Sequence, residues 1–214
     1  MTKKERAASV TALLKEAYPD AVCALEYQKD YELLFATRLS AQCTDARVNL
    51  VTKDLFANFP TLQSFADAPV EDIEEGIRTC GLFHTKARDI KAAAQMLLLE
   101  FGGKVPDTMA DLLRLPGVGR KTANLVLGDI YGQPAVVTDT HCIRLSNRLG
   151  LVKNLKDPVK VETELRKLLD PRESSDFCHR LVLHGREVCT ARSPRCQACC
   201  LAPVCASFPI GGTK

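Results

Sequence analysis

Leu115-Pro116-Gly117-Val118-Gly119-Arg120-Lys121 decides the fold, because apolar helical spacing stops on one side of it and resumes on the other. Leu112, Leu113 and Leu115 end one stripe, and Ala123, Leu125, Val126 and Leu127 begin the next. The Pro-Gly-x-Gly must therefore turn the chain sharply between two short helices within Asp107 to Asp129. With no side chain at Gly117 or Gly119, the N–H groups that start the second helix can approach an anion closely. The helix dipole favours negative charge there, and a nucleic-acid phosphate fits that description. An ordinary helix corner with a glycine C-cap explains the glycines equally well if the hairpin is taken alone.

Lys121 tilts that balance. Its ammonium falls in the first turn of a helix, where positive charge is disfavoured. A nucleophilic lysine must be neutral when it attacks, and the dipole contributes only about 0.3 to 1 kcal/mol towards that. Burial on substrate docking, the adjacent Arg120 and a separate base that collects the proton are the further means.

The segment Pro134-Ala135-Val136-Val137-Thr138-Asp139-Thr140-His141-Cys142-Ile143-Arg144 supplies a candidate base. Pro134 breaks the preceding helix near Tyr131, Ala135 to Val137 is extended and apolar, and Asp139 stands where a new helix begins. An Asp at that place is also an ordinary N-cap. The two roles are compatible, since a carboxylate has a second oxygen. His141 has two readings, one that orients Asp139 and a more ordinary one as a helix-start histidine satisfied by backbone.

Cys189, Cys196, Cys199 and Cys205 form a C-x6-C-x2-C-x5-C loop with Arg192, Pro194, Arg195 and Pro203. The chain has ten cysteines, yet its start, Met-Thr-Lys-Lys-Glu-Arg-Ala-Ala, lacks an apolar signal region, which points to a cytoplasmic, nucleoid-associated location and away from a disulfide framework. Four thiolates at this spacing suit zinc or a 4Fe-4S cluster. Only Cys196 and Cys199 make a CxxC pair, so the arrangement leans towards iron and sulfur. The spacing does not decide between Cys199 and Cys200. Cys23, Cys43, Cys80, Cys142 and Cys178 lie in apolar segments and read as small buried hydrophobes. His179 and His184, on the helix before the loop, read as packing or backbone-bonding residues.

Helical spacing recurs at Val70, Ile73, Ile77 and Cys80, at Ile90, Ala94, Leu97 and Phe101, and at Val161, Leu165 and Leu168, whereas the longest β-like run, Ala135 to Thr138, is too short for a sheet. The expected class is all-α. With 214 residues, 46% of them hydrophobic, and no Gly/Ser- or Pro-rich linker, the chain can build one large core or two smaller ones. No membrane span is present in the sequence. A net charge of +3 argues against wholesale wrapping of nucleic acid but permits a local basic face. Arg114, Arg120, Lys121, Arg144, Arg148, Arg186, Arg192 and Arg195 fall near the motifs, while Glu71, Asp72, Glu74 and Glu75 are expected on a helix away from them.

Taken together, Leu39-Ser40-Ala41-Gln42-Cys43-Thr44-Asp45, Gly81-Leu82-Phe83, Leu115 to Asn124, Asp139-Thr140-His141 with Arg144, and the Cys189 to Cys205 loop resemble the endonuclease III family, iron-sulfur DNA glycosylases of the helix-hairpin-helix superfamily. The resemblance implies a helix-hairpin-helix glycosylase fold with two helical lobes: a six-helix lobe over 22–132, and a second lobe of 1–21 plus 133–214 that carries the cluster. It implies that Lys121 attacks the sugar C1′ and forms a Schiff base, that Asp139 assists as base and stabiliser, and that Cys189, Cys196, Cys199 and Cys205 hold a 4Fe-4S cluster. It further implies that Gln42 and Leu82 enter the duplex where the damaged base has left. His84 would contact DNA beside them, and Gly117, Val118, Gly119, Arg120, His141 and Arg144 would contribute to the DNA-binding surface. The sequence departs from the family pattern at Thr138, where an apolar residue is usual, and at Cys43 and Cys142.

The implied activity is a bifunctional DNA glycosylase and AP lyase, acting as a monomer on double-stranded DNA with oxidised or ring-saturated pyrimidines or abasic sites. The base must be flipped out of the stack before attack. An adenine mismatch glycosylase of the same superfamily lacks the catalytic lysine and carries a further C-terminal domain, so Lys121 and the end at Lys214 are expected to exclude it. A non-enzymatic iron-sulfur DNA-binding protein would need neither Lys121 nor Asp139.

Overall fold

Phe65 shows how the apolar spacing closes into a core. In the computed structural model, which describes residues 1–210, its ring is fully buried, with Phe35 at 5.0 Å and 72°, Phe59 at 5.1 Å, and Phe56 and Tyr31 at 6.3 and 6.4 Å. The contacts with Phe35, Phe56 and Tyr31 are edge-on, a geometry that adds about 0.5 to 1.5 kcal/mol per pair beyond the burial itself.

The described residues form helices α1 (Lys3–Ala17), α2 (Asp30–Leu39), α3 (Asp45–Asn58), α4 (Leu62–Asp67), α5 (Val70–Gly76), α6 (Phe83–Glu100), α7 (Met109–Leu112), α8 (Arg120–Asp129), α9 (Thr140–Arg148), α10 (Pro158–Leu168) and α11 (Ser174–Glu187). Short 3-10 turns lie at Pro171–Glu173, between α10 and α11, and after α11 at Cys196–Ala198 and Ala202–Val204, and no strand occurs among the described residues. None of the described helices is long and apolar enough to cross a membrane.

The chain divides into two compact units. Cys23–Tyr131 is one, with seven helical segments counting the one-turn α7. Here α2 is buried nearly all round (Leu33, Leu34, Phe35, Ala36, Leu39), as befits a central helix, and α6 packs against α2, α4 and α5. Ile77 and Cys80 are buried as their spacing predicts, although α5 already ends at Gly76. Leu113 departs from its stripe: it is solvent-exposed, because α7 ends after a single turn.

Met1–Val22, with the chain from Gly132 onward, is the other unit. Thr2 and Glu5 close a capping box at the start of α1, which lays Ala7, Val10 and Leu14 against α10 and α11. Asp157 caps α10 with Pro158 in its first turn, and the buried stripe runs Val161, Leu165, Leu169, leaving Leu168 only half-buried. Ala135 to Val137 is buried without joining a sheet. Of the five cysteines outside the C-terminal loop, Cys80, Cys142 and Cys178 are buried, whereas Cys23 and Cys43 are only half-buried. Cys142 and Cys178 are hydrogen-bonded to each other, which together with burial raises the Cys142 thiol well above its usual range.

Candidate active site

The hairpin is built around Gly117. Its φ of +74° lies in the left-handed region, and a Cβ there would meet Arg38 Nε and Asp89 Oδ2, each at 2.7 Å. Arg38 and Asp89 form an ion pair, 2.7 Å from Nη2 to Oδ2 and 2.8 Å from Nε to the same oxygen, so the turn rests directly on a bond between α2 and α6. Only glycine satisfies both the backbone angle and the space.

Gly119, two residues on, is the N-cap of α8 and sits in open space, with nothing within 4 Å of where a Cβ would stand. No side chain caps the helix. A helix start of this kind, with its dipole, suits an anion. Lys121 is exposed in that first turn, while Ala123, Leu125, Val126 and Leu127 on the far side are buried as their spacing predicts.

The start of α9 is closed instead. Asp139 Oδ1 accepts the Cys142 N–H at 2.7 Å, with Thr138 buried behind it. His141 Nδ1 accepts from Arg144 Nη2 at 3.1 Å. The same Nη2 donates to the carbonyls of Gly185 (3.0 Å) and Cys189 (3.1 Å). Gly185 has no side chain for good reason: a Cβ would lie 2.5 Å from His141 Nδ1.

Gln42 and Leu82 share an unusual backbone. Both are non-glycine residues in the left-handed region, at φ 56° and 60°. Their turns touch, since a Cβ on Gly81 would lie 3.9 Å from the Gln42 carbonyl. Leu82 is the N-cap of α6 and is 57% exposed, which is incompatible with a core role. His84 is exposed beside it, stacked on Phe83 at 4.0 Å, with Nδ1 2.7 Å from Glu74 Oε2. That contact corrects the expectation that the acidic helix lies away from the motifs: α5 packs on α6, and its Glu74 reaches the residue next to Phe83. Lys86, one turn further along α6, is fully buried, and burial holds its pKa below the usual lysine range.

In the C-terminal loop three sulfurs lie close to nitrogen atoms, two of them N–H donors and the third a histidine ring nitrogen. Arg148 Nη1 lies 3.3 Å from Cys189 Sγ, Ile210 N lies 3.4 Å from Cys196 Sγ, and His184 Nε2 lies 3.3 Å from Cys199 Sγ. Cys199 and Cys200 are both half-buried, and burial raises both thiols. Burial pushes the Cys199 thiol up to about 11 and the buried His184 down to about 4. His184 Nδ1 lies 3.1 Å from the Tyr18 hydroxyl, so the two ring nitrogens bridge α1's C-cap and a loop cysteine, beyond the packing or backbone-bonding role expected of it.

A model of the HhH-GPD superfamily of base excision DNA repair proteins matches residues 35–171. The chain is 47% identical over 207 residues to Endonuclease III of Synechocystis sp., covering 96% of this chain and 94% of that protein, and 38% identical over 205 residues to Endonuclease III of Escherichia coli K12, covering 96% of each. A solved structure described as a trapped Endonuclease III-DNA covalent intermediate superposes with a TM-score of 0.91 at 40% identity, over 97% of both chains. The chain belongs to the endonuclease III family, bifunctional DNA glycosylases and AP lyases within the HhH-GPD superfamily of base excision DNA repair proteins.

Proposed function

We propose that the protein removes oxidised or ring-saturated pyrimidines from duplex DNA and cuts the strand 3′ to the abasic site, with Lys121 as nucleophile and Asp139 as its base. The observation that carries this reading is Lys121, exposed in the first turn of a helix whose N-cap is a bare glycine. That end can accept a backbone phosphate through Gly117, Val118, Gly119 and Arg120 while it presents an amine beside it.

The neutral Lys121 Nζ attacks C1′, and the glycosidic C–N bond breaks, its electron pair leaving with the base, which is then protonated. Asp139 takes the proton lost from the amine; its Oδ1 holds the helix N–H, leaving the carboxylate its second oxygen for this work. Ring opening gives a Schiff base between Lys121 and C1′. The imine acidifies C2′, and loss of that proton expels the 3′ phosphate by β-elimination. Gln42 and Leu82 fill the gap in the stack, offsetting part of the few kcal/mol that unstacking costs. His84 contacts the duplex next to them. Arg144 acts by fixing His141 and the start of the cysteine loop behind the DNA-facing surface. The functional unit is a monomer.

We assign Cys189, Cys196, Cys199 and Cys205 as holders of a 4Fe-4S cluster. Two of the four sulfurs, those of Cys189 and Cys196, have N–H groups aimed at them, a surrounding suited to thiolates. The donor set is all thiolate with a single close pair, Cys196 and Cys199, which favours a cluster over a zinc ion held by two such pairs. When bound, the cluster cross-links the loop. Cys199→Ser should lose iron and acid-labile sulfide, and Cys200→Ser should keep both; the reverse result would move the ligand by one residue.

The activity is tested with duplexes that each carry one defined lesion, incubated with and without borohydride. Damaged pyrimidines should be excised with strand cleavage and leave a protein-DNA adduct under borohydride. Excision of mismatched adenine without cleavage would favour the adenine glycosylase, and binding without either reaction would favour a non-enzymatic protein.

A further inference from the structure

Lys86 sits on the buried face of α6 with no exposed surface. Its ammonium donates to the carbonyl of Leu39 at 2.8 Å, the last residue of α2, and to that of Ala41 at 2.7 Å, the residue before Gln42. Its own backbone N–H donates to the Leu82 carbonyl at 3.1 Å. One residue is thus bonded to Leu82 through its main chain and to the Gln42 turn through its side chain. The charged and titratable groups that act on it are the thiols of Cys80 and Cys43 and the Arg38 guanidinium, and no carboxylate pairs with it among the described residues.

A buried ammonium without a counter-ion is costly, and the carbonyls at the end of α2, which carry the negative end of that helix's dipole, offset only part of the cost. Stability alone would favour an apolar side chain here. Gln42 and Leu82 add to the cost, since left-handed backbone is unfavourable for a residue that carries a Cβ. Such strain persists where the surroundings over-determine it, and Lys86 is the link common to both turns.

We propose that Lys86 is a positioning residue for damage recognition, whose buried ammonium holds Gln42 and Leu82 in fixed register as a paired insert for the duplex. The proposal rests on the insertion roles given above to those two residues. Without the ammonium, the Gln42 turn is free to relax while Leu82 stays on α6, and the pair no longer enters one gap together. Cleavage at a ready-made abasic site needs no base extruded and depends less on that register.

The test compares single-turnover excision of a damaged base from duplex with strand cleavage at a preformed abasic site. Lys86→Met should slow excision about tenfold or more and abasic cleavage by no more than about twofold. In a background with Gln42→Ala and Leu82→Ala, the Lys86 substitution should change excision little further, because the residues it acts through are gone. Equal slowing of both reactions, or a full additional loss in that background, would make Lys86 a purely structural residue. If Gln42→Ala and Leu82→Ala do not slow excision selectively, the insertion reading fails and takes the proposal with it; if they do and Lys86→Met does not, only the proposal fails. Should Lys86→Met not fold, Lys86→Gln, which keeps a donor but cannot span both carbonyls, carries the same comparison.

Discussion

Two helix starts in this molecule solve the same problem in opposite ways. At α9 the leading N–H groups are met from within the chain, by Asp139 Oδ1 on the Cys142 N–H. At α8 the corresponding residue is Gly119, which offers no acceptor and leaves the approach open. A glycine N-cap is only a few tenths of a kcal/mol weaker than Ser, Thr, Asn or Asp, so an end open to an external anion costs little stability. In the proposed function the open end of α8 receives the phosphate, while the capped end of α9 keeps the second Asp139 oxygen for chemistry. That phosphate also explains why a lysine is tolerated in the first turn of α8, since it would balance the ammonium charge.

The sharpest way to break that contrast is Lys121→Ala. Strand cleavage and glycosylase turnover should fall to background, while DNA affinity, followed by fluorescence anisotropy, stays within several-fold of the parent. Loss of binding in proportion to activity would reduce Lys121 to a phosphate contact.

At the capped end, Asp139→Asn should keep the melting temperature near the parental value, because an amide oxygen still accepts the Cys142 N–H, yet lower turnover by about 10² or more. Asp139→Ala should lose the cap as well, by about 0.5 to 2 kcal/mol in denaturant titration. Near-parental turnover in the Asn variant would leave Asp139 with the cap alone.

Gly117 and Gly119 sharpen the comparison within the hairpin. Gly117→Ala must adopt a left-handed φ and displace the Arg38–Asp89 pair, so it should lose about 1 to 3 kcal/mol of stability and weaken DNA binding. Gly119→Ala, in extended backbone and open space, should change stability much less. Similar losses at both positions would mean that the turn is not anchored on the ion pair. The smallest stability effect is expected for Leu82→Ala, because the side chain is mostly in water. Its melting curve should be nearly parental, while excision from duplex slows more than abasic-site cleavage.

Much of this was legible in the sequence because it is local. The hairpin, the Asp139 cap and the four-cysteine loop each need residues only a few positions apart, and turn chemistry and spacing reveal them. Arg38 and Asp89 were not legible: they are 51 positions apart and meet only because α2 packs on α6 beneath Gly117. Lys86 left a trace that composition hides. Ile90, Ala94 and Leu97 fix the buried face of α6, and one turn back on that face falls at Lys86, where a charged residue signals a buried contact. His184 left the same kind of trace, in register with Phe177, Cys178 and Leu181 on α11. Leu113 and Leu168 erred the other way, as apolar residues in stripes that the ends of short helices turn towards solvent.

The central claim, that the open end of α8 presents the nucleophile, is tested most directly by locating the covalent bond. Enzyme and damaged duplex are reduced with borohydride, the DNA is digested, and the adduct is mapped by peptide mass spectrometry. The account predicts one modified site at Lys121, seen as a tryptic peptide from Lys121 to Arg144 that is left uncut after the lysine. A sugar remnant on another lysine or on the N-terminal amine, with Lys121 unmodified, would contradict it.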